Sequence, residues 1–167
     1  YNNNFFVSPG GESSEMIKTL RYDVDYDYIS TLGMELVAGR NFSRTFGTDS
    51  SAVILNETAA KTFGWESNAI GKLLTNRDND GTVKMLNVVG VIKDFHFKSL
   101  HEKISPLVMV LGQGASTMII KTKTGDVSGL ISYMDKEWRS LKAEAPMAYS
   151  FLDDRFNNTY MAEQKTA

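Results

Sequence analysis

The segment LNVVGVIKDFHFKSLH, residues 86 to 101, changes its hydrophobic pattern partway along. It opens on an apolar run, Val88, Val89, Gly90, Val91 and Ile92, whose β-branched side chains suit a strand buried on both faces. Alternation follows. Phe95 and Phe97 fall on one face of an extended chain, and His96 and Lys98 fall on the other. The pattern predicts a central strand of a mixed sheet that leaves the core along an edge. Its candidate partners are the apolar runs Ala52 to Leu55, Ile70 to Leu74 and Pro106 to Leu111.

The same reading assigns the rest of the chain. Residues 1 to 14, with three Asn and the breaker Pro9-Gly10-Gly11, read as loop. Alternation from Met16 to Val24 predicts a strand. Asp25 or Asp27 is placed to cap a short helix through Thr31 and Leu32, stopped by Gly33. Met34 to Ala38 is a short strand, Gly39-Arg40 a turn, and 43 to 51 a loop. After the strand Ala52 to Leu55, Asn56 caps the helix ETAAKTF, Gly64 ends it, and Trp65 lies over apolar surface. Ile70 to Thr75 and Val83 to Asp94 read as strands joined through Asp80-Gly81 in a hairpin.

Further on, Thr117 to Thr124 alternates like a strand. Asp126 caps a helix to about Leu141, with Val127, Leu130, Ile131, Met134, Trp138 and Leu141 on one face. Met147 to Leu152 completes a β-α-β unit after the break at Ala145-Pro146, and Asp153 to Lys165 reads as a second helix. Trp138 is expected to be buried against Thr117 to Thr124, so that its replacement by Ala costs about 3 to 5 kcal/mol.

Composition narrows the classes. The 167 residues are 42% hydrophobic, enough for one substantial core or two small lobes. With a net charge of -2 and no basic cluster, nothing favours nucleic acid or an anionic membrane surface. The absence of cysteine excludes disulfides, thiolate metal sites and cysteine catalysis. No run reaches the roughly 18 apolar residues that span a bilayer. The N-terminus lacks the basic and apolar regions of a signal peptide. Starting at Tyr1 rather than Met, the chain reads as an excised piece. Its parent is expected to continue, within about 15 residues of Ala167, into an apolar segment of ~20.

Candidate chemistry is thin. Between Gly64 and Gly71-Lys72 there are six residues where a phosphate-binding loop has four, and Leu73 replaces the Mg²⁺-binding hydroxyl. Asn76, Asp78, Asp80 and Gly81 match the start of a calcium loop, but Asn87 stands where a bidentate Glu belongs, which favours a polar hairpin tip. His96 and His101 have no third ligand and fall on opposite sides of a strand. No nucleophile elbow occurs. Asp153 and Asp154 are adjacent and diverge on a helix, so they read as a helix start. No catalytic residue, cofactor site or metal site is nominated. Phe95, Phe97 and Leu100 are candidates for a partner surface, against the plainer reading that they pack under a neighbouring strand.

The phrases VDYDYISTLGMELVAGRNFS, VILNETAAKTFGW, AIGK and VVGVIKDFHFKSLHEKISPLV, in that order, resemble the extracytoplasmic domain of MacB-like and FtsX-like ABC transporter permeases. The resemblance covers roughly residues 22 to 165. It implies an α+β fold with mixed sheets: a porter-like β-α-β lobe (15–25 with 113–167) and a smaller, β-rich inserted lobe (26–112). Gly39-Arg40, Asn56-Glu57, Gly71-Lys72 and Gly90 match motifs of the inserted lobe. The family's first strand-helix-strand unit, before the position of Asn4, has no counterpart here, so the porter-like lobe is incomplete in this chain, whether trimmed or abbreviated.

In function the resemblance implies a non-catalytic module in the periplasm, rooted in the bacterial inner membrane. Such a module couples ATP-driven helix motion to an exported substrate, an adaptor or a lipoprotein, with ATP hydrolysis on a separate ABC ATPase subunit. Gly39, Gly112 and Gly114 are the expected hinges. The alternative from another class is an extracytoplasmic ligand-binding sensor, which needs a closed apolar pocket.

Overall fold

Eleven elements follow one another in the computed structural model, which describes residues 2–8, 16–77, 82–96, 103–112, 117–141 and 145–152. They are β1 (Asn2–Val7), β2 (Ile17–Val24), α1 (Tyr28–Leu32), β3 (Leu36–Gly39), a 3₁₀ turn (Gly47–Ser51) and β4 (Ala52–Asn56). After these come α2 (Glu57–Thr62), β5 (Leu73–Arg77), β6 (Val83–Ile92), β7 (Leu107–Leu111) and α3 (Val127–Ser140). Two compact units result, Tyr1–Ile120 and Lys121–Ala167.

The first unit holds one mixed sheet with strand order β3-β6-β4-β7-β2-β1-β5, and β5 pairs back onto β6. Every strand but β3 therefore lies on a closed circuit of ladders. Pairing is parallel for β4 with β6 and for β2 with β7, and antiparallel elsewhere. β2, which the family resemblance groups with residues 113–167, is bonded between β1 and β7.

β4 is buried at all five residues because both of its faces are covered. Val53 and Leu55 join Phe6, Leu74, Leu86, Val108 and the α2 residues Ala59 and Ala60 in one apolar cluster. Ala52 and Ile54 join Leu20, Val24, Ile29, Phe42, Leu107 and Met109 in another. This is why the sequence there is a solid apolar run and not an alternation. Trp65 is buried as expected, its ring stacked 5.0 Å from that of Phe63.

β6 is central, as its pattern predicts, bonding to β3, β4 and β5. Its register with β4 shifts from Val53↔Val88 to Ile54↔Gly90, leaving Val89 as an extra residue. This bulge exchanges the faces. Leu86 and Val88 belong to the first cluster and Val89 to the second, yet Val91 is in the first and Ile92 in the second. The ladder ends at Ile92. Beyond it the Lys93 N–H turns to the Glu35 carbonyl (2.8 Å), and the Asp94 N–H to the Glu57 carboxylate (2.9 Å).

Several expectations need correction. The first residues are not all loop: β1 pairs with β2 from Asn2↔Arg21 to Phe6↔Ile17. Asparagine disfavours strands in isolation, but pairing of Asn2, Asn3 and Asn4 with β2 overrides that preference. Asp27 takes the N-cap position of α1 without a side-chain cap bond, and its carboxylate meets Arg44 at 3.1 Å. Gly33 does end that helix, in the left-handed region at φ 69°.

In the second unit α3 forms as expected, with the Asp126 carboxylate accepting the Gly129 N–H at 2.8 Å. The segments 117–124 and 147–152, however, carry no strand, so no β-α-β unit is seen among the described residues. No residue of α3 is buried, and Trp138 is 38% exposed with its indole N–H on the Ala145 carbonyl. An amphipathic stripe buries only where a sheet face is present to receive it. The large loss expected for Trp138→Ala therefore falls away. The predicted helix from Asp153 lies outside the described residues.

Two glycines with similar φ separate backbone strain from packing. Gly64 has φ 72° and open space where a Cβ would stand, whereas a Cβ on Gly39 (φ 71°) would lie 2.2 Å from the Val89 carbonyl oxygen. Gly64→Ala is expected to cost about 1 kcal/mol, the left-handed penalty alone. Gly39→Ala should cost at least twice that, because β3 must also move away from β6. Urea unfolding of the two variants checks this, and equal losses would show that the close approach is soft.

Candidate functional site

Two polar clasps and a groove between them make up the candidate site. The first clasp begins at Gly39-Arg40. Gly39 pairs with Gly90, and a Cβ on Gly90 would stand 2.4 Å from the Arg40 carbonyl oxygen. The Arg40 N–H donates to the Val89 carbonyl at 2.9 Å, which fixes where the chain leaves β3. Its guanidinium grips Asp49 with both arms, Nη1 to Oδ2 at 2.9 Å and Nη2 to Oδ1 at 2.7 Å. It also lies 4.1 Å from the centre of the Phe46 ring. Asp49 is 1% exposed and further accepts the Ser43 N–H at 2.8 Å.

That carboxylate is held below its ordinary pKa, chiefly by the hydrogen bond from Arg40, with burial opposing and the Ser43 N–H assisting. The loop 40–51 is thus wound around one buried anion, a fork-to-fork pair whose geometry favours Arg over Lys.

The second clasp holds α2. Asn56 is fully buried, and its Oδ1 accepts both the Ala59 N–H (2.9 Å) and the Leu107 N–H (2.8 Å). Its amide donates to the Ser105 carbonyl at 3.1 Å. One side chain therefore caps the helix and ties it to β7. Asp94 adds a second cap: its carboxylate accepts the Thr58 N–H at 3.0 Å and the Thr58 hydroxyl at 2.6 Å. Glu57 returns the contact by accepting the Asp94 N–H. Asn56 was legible as a cap from its position before the helical run. The roles of Asp49 and Asp94 were not, since Arg40 lies nine residues from the first and Thr58 thirty-six from the second.

Between the clasps is an open groove of about 480 Å³. Val37 and Ala38 of β3, Ala60 of α2, Val91 of β6 and Ile70 supply its apolar lining, and Glu57, Lys61 and Glu66 its charged groups. Lys61 and Glu66 are paired at 3.9 Å and exposed. Lys93 and Glu35 pair at 3.0 Å beside β3, and this bond raises the Lys93 pKa.

Of the residues singled out from the sequence, Phe95 is half-buried against the second apolar cluster, while Phe97 and Leu100 lie outside the described residues. His96 is exposed and His101 undescribed. Gly112 donates its N–H to Val24, and a Cβ there would meet Asp23 at 2.6 Å; Gly114 is undescribed. Asn76, at the start of the calcium-like stretch, is buried and donates to the Phe5 carbonyl at 3.0 Å, so it serves the β1–β5 junction. Among the described residues no group of three metal-ligating side chains occurs, and no helix is long and apolar enough to cross a membrane.

A sheet closed by its own ladders, with glycine contacts at the GR and VVGV motifs, is the frame that carries the clasps and the groove. The chain belongs to the MacB-like periplasmic core domain family, whose model matches residues 2–132. Its fold is similar to the periplasmic region of MacB from Actinobacillus actinomycetemcomitans, with a TM-score of 0.61 and 16% identity over 84% of this chain. It is also similar to a domain of a protein assigned as a permease from Porphyromonas gingivalis, with a TM-score of 0.61 and 14% identity over 93% of this chain. The chain spans 63% of the MacB region and 77% of the P. gingivalis domain. No curated protein is significantly similar in sequence.

The Arg40–Asp49 pair carries a pH signature. A carboxylate whose folded pKa is depressed contributes stability above its unfolded pKa, about 3.9, and loses it as pH falls through the lower folded value. Asp49→Asn should cost about 3 kcal/mol at neutral pH, because it strips charge from a pair with one partner buried. The gap between the two proteins should narrow steadily below about pH 4. Denaturant midpoints measured from pH 7 downward check both statements, and a gap that stays constant to pH 2 would mean that Asp49 titrates normally.

Proposed function

We propose that this chain is a non-catalytic extracytoplasmic module of an ABC transporter permease. It couples ATP-driven motion of membrane helices to a substrate or partner outside the inner membrane. ATP is hydrolysed on a separate nucleotide-binding subunit, and the periplasmic side holds an adaptor, a lipoprotein or the exported substrate. The observation that carries this reading is the family match over residues 2–132.

The physical character of the first unit supports it. A closed circuit of ladders with two buried clusters resists shear, so a displacement at one edge moves the unit as a body. The proposed points of rotation are Gly39, Gly112 and Gly114. Rotation at Gly39 would disturb the Gly90 contact, and rotation at Gly112 its bond to Val24. The division into a lobe of 26–112 and a porter-like lobe of 15–25 with 113–167 belongs to the same proposal.

Calorimetry of the 167-residue chain with ATP-Mg²⁺ is expected to give no binding heat, and a chelator is expected to leave the melting temperature unchanged. In the whole reconstituted transporter, replacing the first unit, Tyr1–Ile120, by a short linker should abolish transport while ATP hydrolysis persists. Micromolar ATP affinity, a chelator-induced fall in melting temperature, or transport retained without that unit would each overturn the reading.

A further inference from the structure

β3 ends the strand order of the sheet. It bonds to β6 along one side, and among the described residues no strand covers the other. Edge strands are commonly guarded by a proline, an inward charge or a covering element. The sequence of β3, Leu-Val-Ala-Gly, has neither proline nor charge, and all four residues are exposed, Val37 at 45%. The groove opens beside this edge, with Val37, Ala38 and Ile70 available to an apolar side chain.

Charge around the edge is not balanced. Among the described residues around the edge, Glu35, Glu57, Glu66 and Asp94 outnumber Lys61 and Lys93, each lysine is already paired with one of these carboxylates, and Arg40 is paired with Asp49. An approaching chain thus meets a strand edge that no described strand covers, an apolar recess and an acidic rim.

We propose that the open edge of β3 and the adjoining groove bind an extended segment of a partner protein in which apolar and basic residues alternate. Strand addition supplies the affinity through backbone hydrogen bonds, and side-chain pockets at every second residue supply the selectivity. An apolar side chain enters the groove while its neighbours on the segment bring cations toward Glu57 and Glu66. The identification of this segment with the periplasmic partner rests on the permease reading; the binding itself does not.

The test uses the isotope-labelled 167-residue chain and a blocked hexapeptide alternating leucine and lysine, followed by amide chemical shifts. Shifts are expected at Leu36–Gly39 and at residues 66–70. Affinity should fall about tenfold with Glu66→Lys, a change of ~1.4 kcal/mol, and should weaken with added salt, which screens a rim of this kind. Glu66 is exposed, so this variant is expected to keep its fold. The same peptide with glutamate in place of lysine should bind far more weakly.

No shift at millimolar peptide, shifts mapping away from β3, or equal binding of the acidic peptide would overturn the proposal. So would β3 shifts that depend on protein concentration without peptide, since the edge would then be occupied by a second copy. Because the assay contains neither membrane nor ATP, its failure leaves the permease reading standing, and ATP binding by the chain would leave this proposal standing.

Discussion

Strand β6 must bond to three strands in ten residues, and the close approach of Gly39 to Gly90 makes this feasible. A side chain at either position would collide with the backbone of the other strand, at 2.2 Å in one direction and 2.4 Å in the other. With both side chains absent, β3 lies against the end of β6 that β5 leaves open. The bulge at Val89 then turns the strand so that both its faces remain apolar on either side of the irregularity. The direction in which Arg40 departs, and with it the loop around Asp49, depends on this contact, while the closed circuit of ladders runs through the other six strands.

The polar clasps stabilise what the glycines permit. Arg40–Asp49 and Asn56 each satisfy several buried or half-buried groups at once, so the loops they hold have few alternative conformations. Neither clasp is built as a catalytic site. The hydrogen bonds described for them go to the protein's own backbone and side chains. Polar residues in the family motifs thus shape the module, and the proposed recognition surface is the less conspicuous one beside β3.

The sequence pattern was most legible where a signal is local. Asn56 before ETAAKT, Gly33 and Gly64 after short helices, and the hairpin of β5 with β6 were all readable because the capping group and its partner lie within a few residues. The run at Val88 to Ile92 marked a central strand because a strand buried on both sides has few polar positions. Alternation misled at 117–124 and 147–152, where a strand-like pattern has no ladder partner among the described residues. The Asn-rich start misled in the opposite sense, since β1 becomes a strand through its neighbours β2 and β5.

By itself, then, the sequence determined the caps, the turns, the periodicity of α3 and the family-specific order of the GR, NE and VVGV motifs. These are set by interactions between residues close along the chain, or by a motif that recurs whole. Only the tertiary structure decided that β1 joins β2 to β5, that a one-residue bulge exchanges the faces of β6, and that Arg40 finds Asp49 while Asp94 finds Thr58. It also decided that β3 is left with an open edge. Each of these is a pairing between segments far apart in sequence, and the free energy that selects it comes from burial and hydrogen bonding, which exist only once the segments have met.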